Sequence, residues 1–341
     1  MRQAESTGLG PAGGPTRAIV SIREANEAEV PRILEIDNAV FPDFPETLEE
    51  FQANQARLRA GGYTSVFAVA EVRSGQIVGY SNFHHMPGQF DPARYLVVVG
   101  TDPAWQRRGV GSALLAQMLR AVAARGGRAI ESFAQESKPE VVAFLVRRGF
   151  RETMRVWEYR LDVRRFDPAP FARYLVRARE AEVEVTTLER ERRRDPGALR
   201  RAYELHNAVV ADIPAPIPFT PPPFEHYLLS NVESPRALLD AYFLAKVGEV
   251  YIGEANLQRP VQGTYLHHDV TGVLPAYRGR GIAMALKLAT IAYAQARDST
   301  EIRTWNEVQN TGMLVINERL GFVRQPAWIT FERTLTPAGS A

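Results

Sequence analysis

The sequence contains no cysteine, which excludes disulfide bonds, thiolate metal ligands and a cysteine nucleophile. Lysine is also scarce, since only Lys138, Lys246 and Lys287 occur among 341 residues. None of them follows a GxxxxG segment, so the chain lacks the phosphate-binding lysine of a P-loop protein. Any phosphate contacts must therefore come from arginine side chains and backbone N–H groups.

The chain also lacks a large excess of positive or negative charge. The 41 basic and 39 acidic residues leave a net charge of +2, too small to indicate a nucleic-acid partner. The run at 192–194, three arginines, is interpreted as a solvated helix face or loop. No apolar run approaches the ~18 residues of a membrane span. Residues 1–17 lack the apolar core of a signal peptide and are expected to form a disordered tail, so we expect a cytoplasmic protein with no membrane partner.

The sequence contains one internal repeat, in which the same set of motifs occurs twice in the same order. The segment TDPAWQRRGVGSALL (101–115) resembles TGVLPAYRGRGIAMALK (271–287), and RRGF ending at 150 resembles RLGF ending at 322. Two further pairs, IDNAVFPDFP with LHNAVVADIP and IVGYSN with YIGEAN, occur in the same order. We therefore predict two tandem copies of one fold, a first copy at 18–162 and a second copy at 182–335, joined by a linker at 163–181.

Each copy shows the element order β-α-α-β-β-β-α-β-α-β, which predicts an α/β layered fold. In the first copy an apolar strand at Arg94–Thr101 precedes the glycine-rich loop, and a helix is predicted over Gly109–Arg125. In the second copy the matching strand and helix are predicted over Thr264–Val273 and Gly281–Arg297. Each loop thus lies between the end of a strand and the start of a helix, where open sheets tend to bind ligands.

The glycine-rich loops are suited to binding an anion. A helix N-terminus offers unpaired N–H groups and a positive dipole end, and glycine lets the backbone approach the ligand closely. A dinucleotide-binding loop is the main alternative, because Gly109 and Gly111 form a GxG. Its third glycine would fall at Leu114, however, and the segment PAWQRR (103–108) intervenes between the strand and the first glycine.

Both segments resemble the GCN5-related N-acetyltransferase (GNAT) superfamily. Its signature is [Q/R]-x-x-G-x-[G/A] at the start of a helix, followed by a second helix that ends in GF, and both copies carry both parts. The resemblance implies two tandem GNAT folds, each a mixed, largely antiparallel sheet flanked by helices. It also implies acetyl-CoA as co-substrate, no metal, a loop that binds the pyrophosphate and a strand that binds the pantetheine arm. The implied coenzyme-binding residues are Val99, Thr101, Gln106, Arg107, Arg108, Gly109, Val110, Gly111 and Ser112 in the first copy, and Val273, Arg278, Gly279, Arg280, Gly281, Ile282, Ala283 and Asn310 in the second.

The resemblance further implies that an amine attacks the thioester directly, so a base must take the amine proton. In the second copy Asp269 stands where the family often carries an acidic base. Strand alternation predicts His267, Asp269 and Thr271 on one face and His268 on the other. Asn317 stands where the family usually has a tyrosine as general acid, so the catalytic candidates are Asp269, Asn317 and His268. A histidine-aspartate metal site is not expected there, because a third ligand is missing.

The first copy offers fewer catalytic candidates. Val97 stands where the family often carries its acidic base, and Leu145 stands where the family usually has the tyrosine. His84 and His85, at the end of the preceding strand, could serve as a base, but paired histidines at a strand end are more often structural or exposed. We therefore expect an N-acetyltransferase that acts on an amine of a small molecule, with turnover in the second copy. The alternatives are a coenzyme-A-binding sensor or interaction module without turnover, favoured by the absence of the usual tyrosine, and a protein N-acetyltransferase.

Overall fold

The computed structural model describes residues 20–260 and 263–335, so the predicted tail at 1–17 lies outside the described residues. The elements of the first copy follow the predicted order. They are β1 (Val20–Glu24), α1 (Val30–Val40), α2 (Leu48–Ala60), β2 (Ser65–Val72), β3 (Ile77–His84), β4 (Arg94–Thr101), α3 (Val110–Ala123), β5 (Ala129–Gln135), α4 (Pro139–Val146) and β6 (Arg151–Asp162).

The linker contains one helix, α5 (Ala172–Glu180), whose Tyr174 is buried. The second copy repeats the pattern with one additional helix near its start. Its elements are β7 (Glu184–Thr187), α6 (Leu188–Arg194), α7 (Ala198–Val210), α8 (Phe224–Asn231), β8 (Ala237–Val247), β9 (Val250–Gln258), β10 (Tyr265–Val273), α9 (Ile282–Gln295), β11 (Glu301–Glu307), α10 (Thr311–Arg319) and β12 (Val323–Thr334).

The additional helix α6 contains the three-arginine run, which is exposed as predicted. Arg192 and Arg193 both form ion pairs with Glu189, three and four residues earlier on the same helix. The sequence does not predict α6 as a separate helix, because LERERRR has almost no apolar side chains that could show a helical period. Within the two described ranges, no helix is long and apolar enough to cross a membrane.

The strands form one continuous twelve-stranded sheet in the order β1-β2-β3-β4-β5-β12-β6-β11-β10-β9-β8-β7. The pairs β4–β5 and β10–β11 are parallel and the other pairs are antiparallel. The two copies exchange their last strands, so that β12 pairs with β5 and β6 pairs with β11. Consequently Ile329 and Phe331 of the second copy pack with Ile130 in the core of the first. The sequence does not predict this exchange. Strands pair through backbone hydrogen bonds, which are the same for every residue type, so either last strand could pair with β5.

The two parallel pairs are short and leave gaps in the sheet. In the first pair, only Arg94–Leu96 of β4 pairs with Ala129–Glu131 of β5. In the second pair, only Tyr265–His268 of β10 pairs with Glu301–Thr304 of β11. Beyond these residues the strands of each pair separate toward their carboxyl ends. The gap between β4 and β5 faces the start of α3, the helix that follows the glycine-rich loop.

The strands before the two gaps differ in one respect. β10 has a bulge, since its register against β9 shifts between His268 and Thr271, whereas β4 pairs with β3 without interruption. The predicted alternation of faces is therefore wrong at Thr271. Its Oγ1 lies 3.1 Å from His268 Nε2, because the bulge shifts the following residue to the other face.

Candidate functional site

A cleft of about 630 Å³ occupies the gap of the first copy. It extends from the separated strands β4 and β5 to the start of α3 and is bounded on one side by α4. Most of the coenzyme-binding residues predicted for this copy line it: Val99, Thr101, Gln106, Arg107, Gly109, Gly111 and Ser112. Two do not, because Arg108 lies over the ring of Trp105 at 5.1 Å and Val110 is buried in the core.

The loop geometry explains its glycines. Gly109 has a φ of +86°, a left-handed conformation that lets the chain turn directly into α3. A Cβ at Gly111 would lie 3.4 Å from Thr101 Oγ1, so a larger side chain there would project into the cleft. Gln106 Nε2 donates to the Thr101 carbonyl at 3.3 Å and holds the loop against the end of β4. The free N–H groups at the start of α3 are thereby presented to the cleft.

Four basic side chains and one acidic side chain, that of Glu140, line this cleft, and Arg107 and Arg148 lie at its loop end. Arg107, Lys138, Arg147 and Arg148 line it, whereas Val97, Phe133 and Phe150 line its apolar part. Arg148 lies 3.5 Å from the centre of the Phe144 ring and donates from Nη2 to Ser112 Oγ at 2.5 Å. Arg147 and Arg148 are not among the residues predicted from the sequence, although they directly precede the GF landmark at 149–150. A long ligand with a polyanionic end and an apolar arm fits this distribution.

The loop of the second copy has the same backbone turns, but its arginine side chains form hydrogen bonds and an ion pair with other groups of the protein. Gly279 and Gly281 have φ values of +77° and +83°. Arg278 donates to the Val273 carbonyl at 2.9 Å and pairs with Asp212 at 2.5 Å. Arg280 donates to the Ala276 carbonyl at 3.2 Å.

The surroundings of this second loop are largely packed. A Cβ at Gly281 would lie 3.2 Å from a ring carbon of Tyr174, because α5 packs against α9 at this point. Ile282 is buried and Ala283 packs against the neighbouring core. Asn310 caps α10, its Oδ1 accepting from the Met313 N–H at 3.4 Å. Its predicted contact with pantetheine stays a prediction.

Asp269 lies at the bulge of β10 and is exposed. Its Oδ2 accepts from Asn256 Nδ2 at 3.3 Å and from Gln258 Nε2 at 3.2 Å. The Val270 N–H of the bulge donates to Asn256 Oδ1 at 2.8 Å. His267 contacts the Trp305 ring edge-on, with the ring centres 4.6 Å apart. No group of three metal-binding side chains is found within 20–260 and 263–335.

The other two catalytic candidates lie inside the second copy. Burial, with the nearby Lys287, holds the pKa of His268 well below its usual range, so the ring is neutral. Asn317 is fully buried and donates from Nδ2 to Asn306 Oδ1 at 2.6 Å. Burial also lowers the pKa of Lys287 to about 7. His268 and Asn317 are therefore buried, whereas the carboxylate of Asp269 is exposed.

A second cavity of about 150 Å³, which the sequence does not predict, lies in the first copy. Asp37, Glu46 and His84 line it, and Val98 of β4 lines both this cavity and the larger cleft. Burial raises the pKa of Asp37, and burial with the neighbouring Asp37 and Glu50 carboxylates raises that of Glu46 to about 7. One signal was present, since both Asp37 and the chain leading to Glu46 belong to the repeated segment IDNAVFPDFP.

The paired histidines at the end of β3 differ in their surroundings. His84 reaches the smaller cavity, and burial with the charge of Arg57 lowers its pKa to about 4. His85 is structural, because its Nδ1 accepts from the Thr64 N–H at 3.1 Å and its ring stacks on Tyr95 at 4.5 Å.

Comparison with known proteins finds a match in each copy. The sequence model of the family described as "Acetyltransferase (GNAT) family" matches residues 30–150 and 205–322. A mycothiol acetyltransferase of Thermobispora bispora is 24% identical over 286 residues, covering 81% of this chain and 86% of that protein. A mycothiol acetyltransferase of Salinispora arenicola is 26% identical over 271 residues, covering 76% of this chain and 79% of that protein.

Solved structures share the whole architecture. A tandem GNAT protein from the clavulanic acid biosynthesis pathway has a TM-score of 0.69 at 17% identity, covering 94% of this chain and 100% of that chain. A GCN5-related N-acetyltransferase from Sphaerobacter thermophilus has a TM-score of 0.64 at 16% identity, covering 92% and 95%. The predicted tandem architecture is confirmed.

Proposed function

Because the chain belongs to the acetyltransferase (GNAT) family, we propose that it transfers an acetyl group from acetyl-CoA to an amine of a small-molecule acceptor. The family makes the chain an acyltransferase. Acetyl-CoA as donor, an amine as acceptor and the residues that bind and react are parts of this proposal. The relatives named mycothiol acetyltransferases are 24% and 26% identical to this chain, which is too distant to carry over their acceptor.

The observation that carries the proposal is the cleft of about 630 Å³ in the first copy. Its loop end combines the start of α3 with Arg107, Arg147 and Arg148, a setting suited to the phosphates of coenzyme A. The edge of β4 has no partner beyond Leu96 on the β5 side, so its backbone groups are free to bind the amide groups of the pantetheine arm. In the second copy the corresponding loop supplies the same backbone turn.

For proton removal we propose Asp269 of the second copy. Its carboxylate is exposed beside the gap between β10 and β11, and the side-chain amides of Asn256 and Gln258 hold its Oδ2 in place. An amine that attacks a thioester held in the gap of the second copy loses its proton to Asp269 as the C–N bond forms. Coenzyme A leaves as the thiolate and takes a proton from water. His268 and Asn317, which are buried, would act by supporting β10 and α10.

Thiol release from acetyl-CoA across a panel of amines tests the proposal, and the absence of cysteine removes any protein background from a thiol reagent. We expect amine-dependent release, and we expect Asp269→Asn to lower kcat/KM by ~100-fold, the usual size of a general-base contribution. Asp43→Asn, at another exposed aspartate, is the matched control. Binding of acetyl-CoA without thiol release for any amine would instead support a coenzyme-binding sensor.

A further inference from the structure

The smaller cavity of the first copy adjoins the coenzyme cleft across a single strand. Val98 of β4 lines both spaces, and its side chain packs on the α1 side with Ile33 and Tyr80. Val97 and Val99, its neighbours along the strand, pack on the opposite side with the core under α3. Because β4 has no β5 partner beyond Leu96, no neighbouring strand covers this edge of β4. An amine in the smaller cavity would have to reach a thioester held in the cleft past this uncovered edge.

The backbone of Glu46 is fixed at this cavity by one asparagine. Asn38 Nδ2 donates to the Glu46 carbonyl at 3.0 Å, and the Glu46 N–H donates to Asn38 Oδ1 at 2.8 Å. The next residue, Thr47, caps α2 through its hydroxyl. Held on both sides, the Glu46 side chain reaches the cavity. No ion pair within 4 Å of its carboxylate occurs in the part of the chain that the structure describes.

His84 presents a proton acceptor to the same cavity. Its Nδ1 lies 2.6 Å from Asn82 Oδ1. Asn82 Nδ2 donates to the Val66 carbonyl at 3.0 Å, so Oδ1 is the acceptor and we assign the proton of the neutral ring to His84 Nδ1. Nε2 then carries a lone pair that can accept a hydrogen bond from an amine N–H.

The electrostatic surroundings suit Glu46 to taking a proton near neutral pH. The charged and titratable groups around it are Asp37 on α1, Glu50 and Arg57 on α2, Tyr80 and His84 on β3, and Arg236 of the second copy. Burial and the two carboxylates raise its pKa to about 7, and the two arginines partly oppose this rise. A base whose pKa lies near the working pH combines sufficient ionisation with sufficient basicity.

We propose that this cavity is the acceptor pocket of an additional acetyl-transfer site, located in the first copy, with Glu46 as its general base and His84 as the group that orients the amine. The amine nitrogen forms a bond to the thioester carbonyl carbon and the C–S bond breaks. The amine proton passes to the Glu46 carboxylate. The coenzyme A thiolate takes a proton from water, and Glu46 returns its proton to solvent when the product leaves.

The cavity walls define the class of acceptor. Ile33, Leu34, Phe51, Leu58 and Phe67 line the space together with polar side chains, among them Asp37, Asn54 and Gln55. A cavity of about 150 Å³ can hold a ligand of about benzene's size. The acceptor is therefore a small primary amine without an acidic group. A carboxylate on the acceptor would lie close to the Asp37 and Glu46 carboxylates, which would repel it.

This inference rests on the proposed binding of acetyl-CoA in the first cleft, but it does not depend on Asp269. The test compares thiol release by the full-length protein with small amines such as butylamine and benzylamine. We expect Glu46→Gln to lower kcat/KM by ~100-fold and to remove the rise of the wild-type profile near pH 7, while KM for acetyl-CoA is unchanged. Glu49→Gln, at an exposed glutamate three residues away, serves as the matched control.

A steric variant tests the pocket without removing the buried carboxylate. Gln55 lines the cavity and is partly exposed, whereas Gln52 is exposed on the same helix and does not line it. Gln55→Trp should lower kcat/KM for benzylamine more than tenfold, and Gln52→Trp should stay within twofold of the wild type.

Three results would overturn the inference or its premise. Wild-type kinetics in both Glu46→Gln and Gln55→Trp would overturn the pocket assignment. Loss of transfer to every amine in Asp269→Asn but not in Glu46→Gln would overturn the additional site and leave the proposed function standing. Failure of the wild type to bind acetyl-CoA at all would overturn both.

Discussion

His206 Nδ1 lies 3.0 Å from Glu254 Oε1, and this pair stands in the second copy where Asp37 and Tyr80 stand in the first. The first copy places an acid on the helix and a phenol on the strand, whereas the second places a base on the helix and an acid on the strand. Burial lowers the pKa of His206, but the attraction of Glu254 and its hydrogen bond outweigh burial, so the pKa is raised. Each copy thus links its first helix to its sheet with different chemistry.

Removing the second-copy pair should cost stability in a pH-dependent way. A histidine with a raised pKa contributes stability that is complete below pH 6.5 and declines as the pH rises through the raised value. His206→Leu should therefore lower the free energy of unfolding by about 3 kcal/mol at pH 6, because it removes the positively charged partner of the buried Glu254 carboxylate. Urea denaturation at pH 6 and pH 9 measures the change. A loss that is larger at pH 9 would contradict this account.

The buried lysine of α9 should make the second copy less stable at neutral pH. Unfolded Lys287 keeps its proton up to about pH 10.5, whereas the folded side chain loses it above about pH 7. Folding therefore releases a proton between these values, and stability rises with pH across that window.

Lys287→Leu, which introduces the residue found at the matching position 115, should increase stability at pH 7 by up to ~5 kcal/mol. The gain should shrink toward pH 10. Lys246→Leu is the matched control, because this second buried lysine pairs with Glu191 at 3.4 Å and its loss should destabilise the protein. A Lys287→Leu variant that is less stable than the wild type at pH 7 would count against the assigned burial.

Arg148 should contribute to coenzyme binding through its charge. It lines the cleft, stacks on Phe144 and reaches Ser112 at the start of α3. Arg148→Leu should raise the Kd for coenzyme A about tenfold in low salt, as expected for one charged hydrogen bond, and the difference should narrow at 0.5 M salt. Arg125→Leu is the control, since Arg125 also lies over an aromatic ring, that of Phe83, away from the cleft. Equal loss in both variants would contradict a specific role.

The sequence predicts the repeated elements because the signals for them are local. Glycines at 109 and 281 require left-handed turns, and the helices that follow have apolar positions at helical spacing. The exchange of β6 and β12 is not local, since it depends on which of two similar strands pairs with β5. The bulge at Asp269 likewise depends on how β10 pairs with β9, and the residues of β10 contain no sequence signal that predicts it.

The candidate site was predicted in part for the same reason. The loop residues that line the first cleft are contiguous in the chain, so one motif contains them. Glu46 and His84 are 38 residues apart in the sequence and meet only because α1, α2 and β3 surround one cavity. Their shifted pKa values arise from burial, which a sequence pattern does not show.

Titration with acetyl-CoA of the wild type and of two variants at position 111 tests the central claim most directly. Gly111→Ala adds a Cβ at an ordinary contact distance of 3.4 Å from Thr101 Oγ1, whereas Gly111→Phe places a ring in the cleft. Calorimetry should show the same stoichiometry for the wild type and Gly111→Ala. The stoichiometry for Gly111→Phe should fall by one acetyl-CoA per chain. Equal stoichiometry and affinity in all three proteins would contradict coenzyme binding in the first cleft.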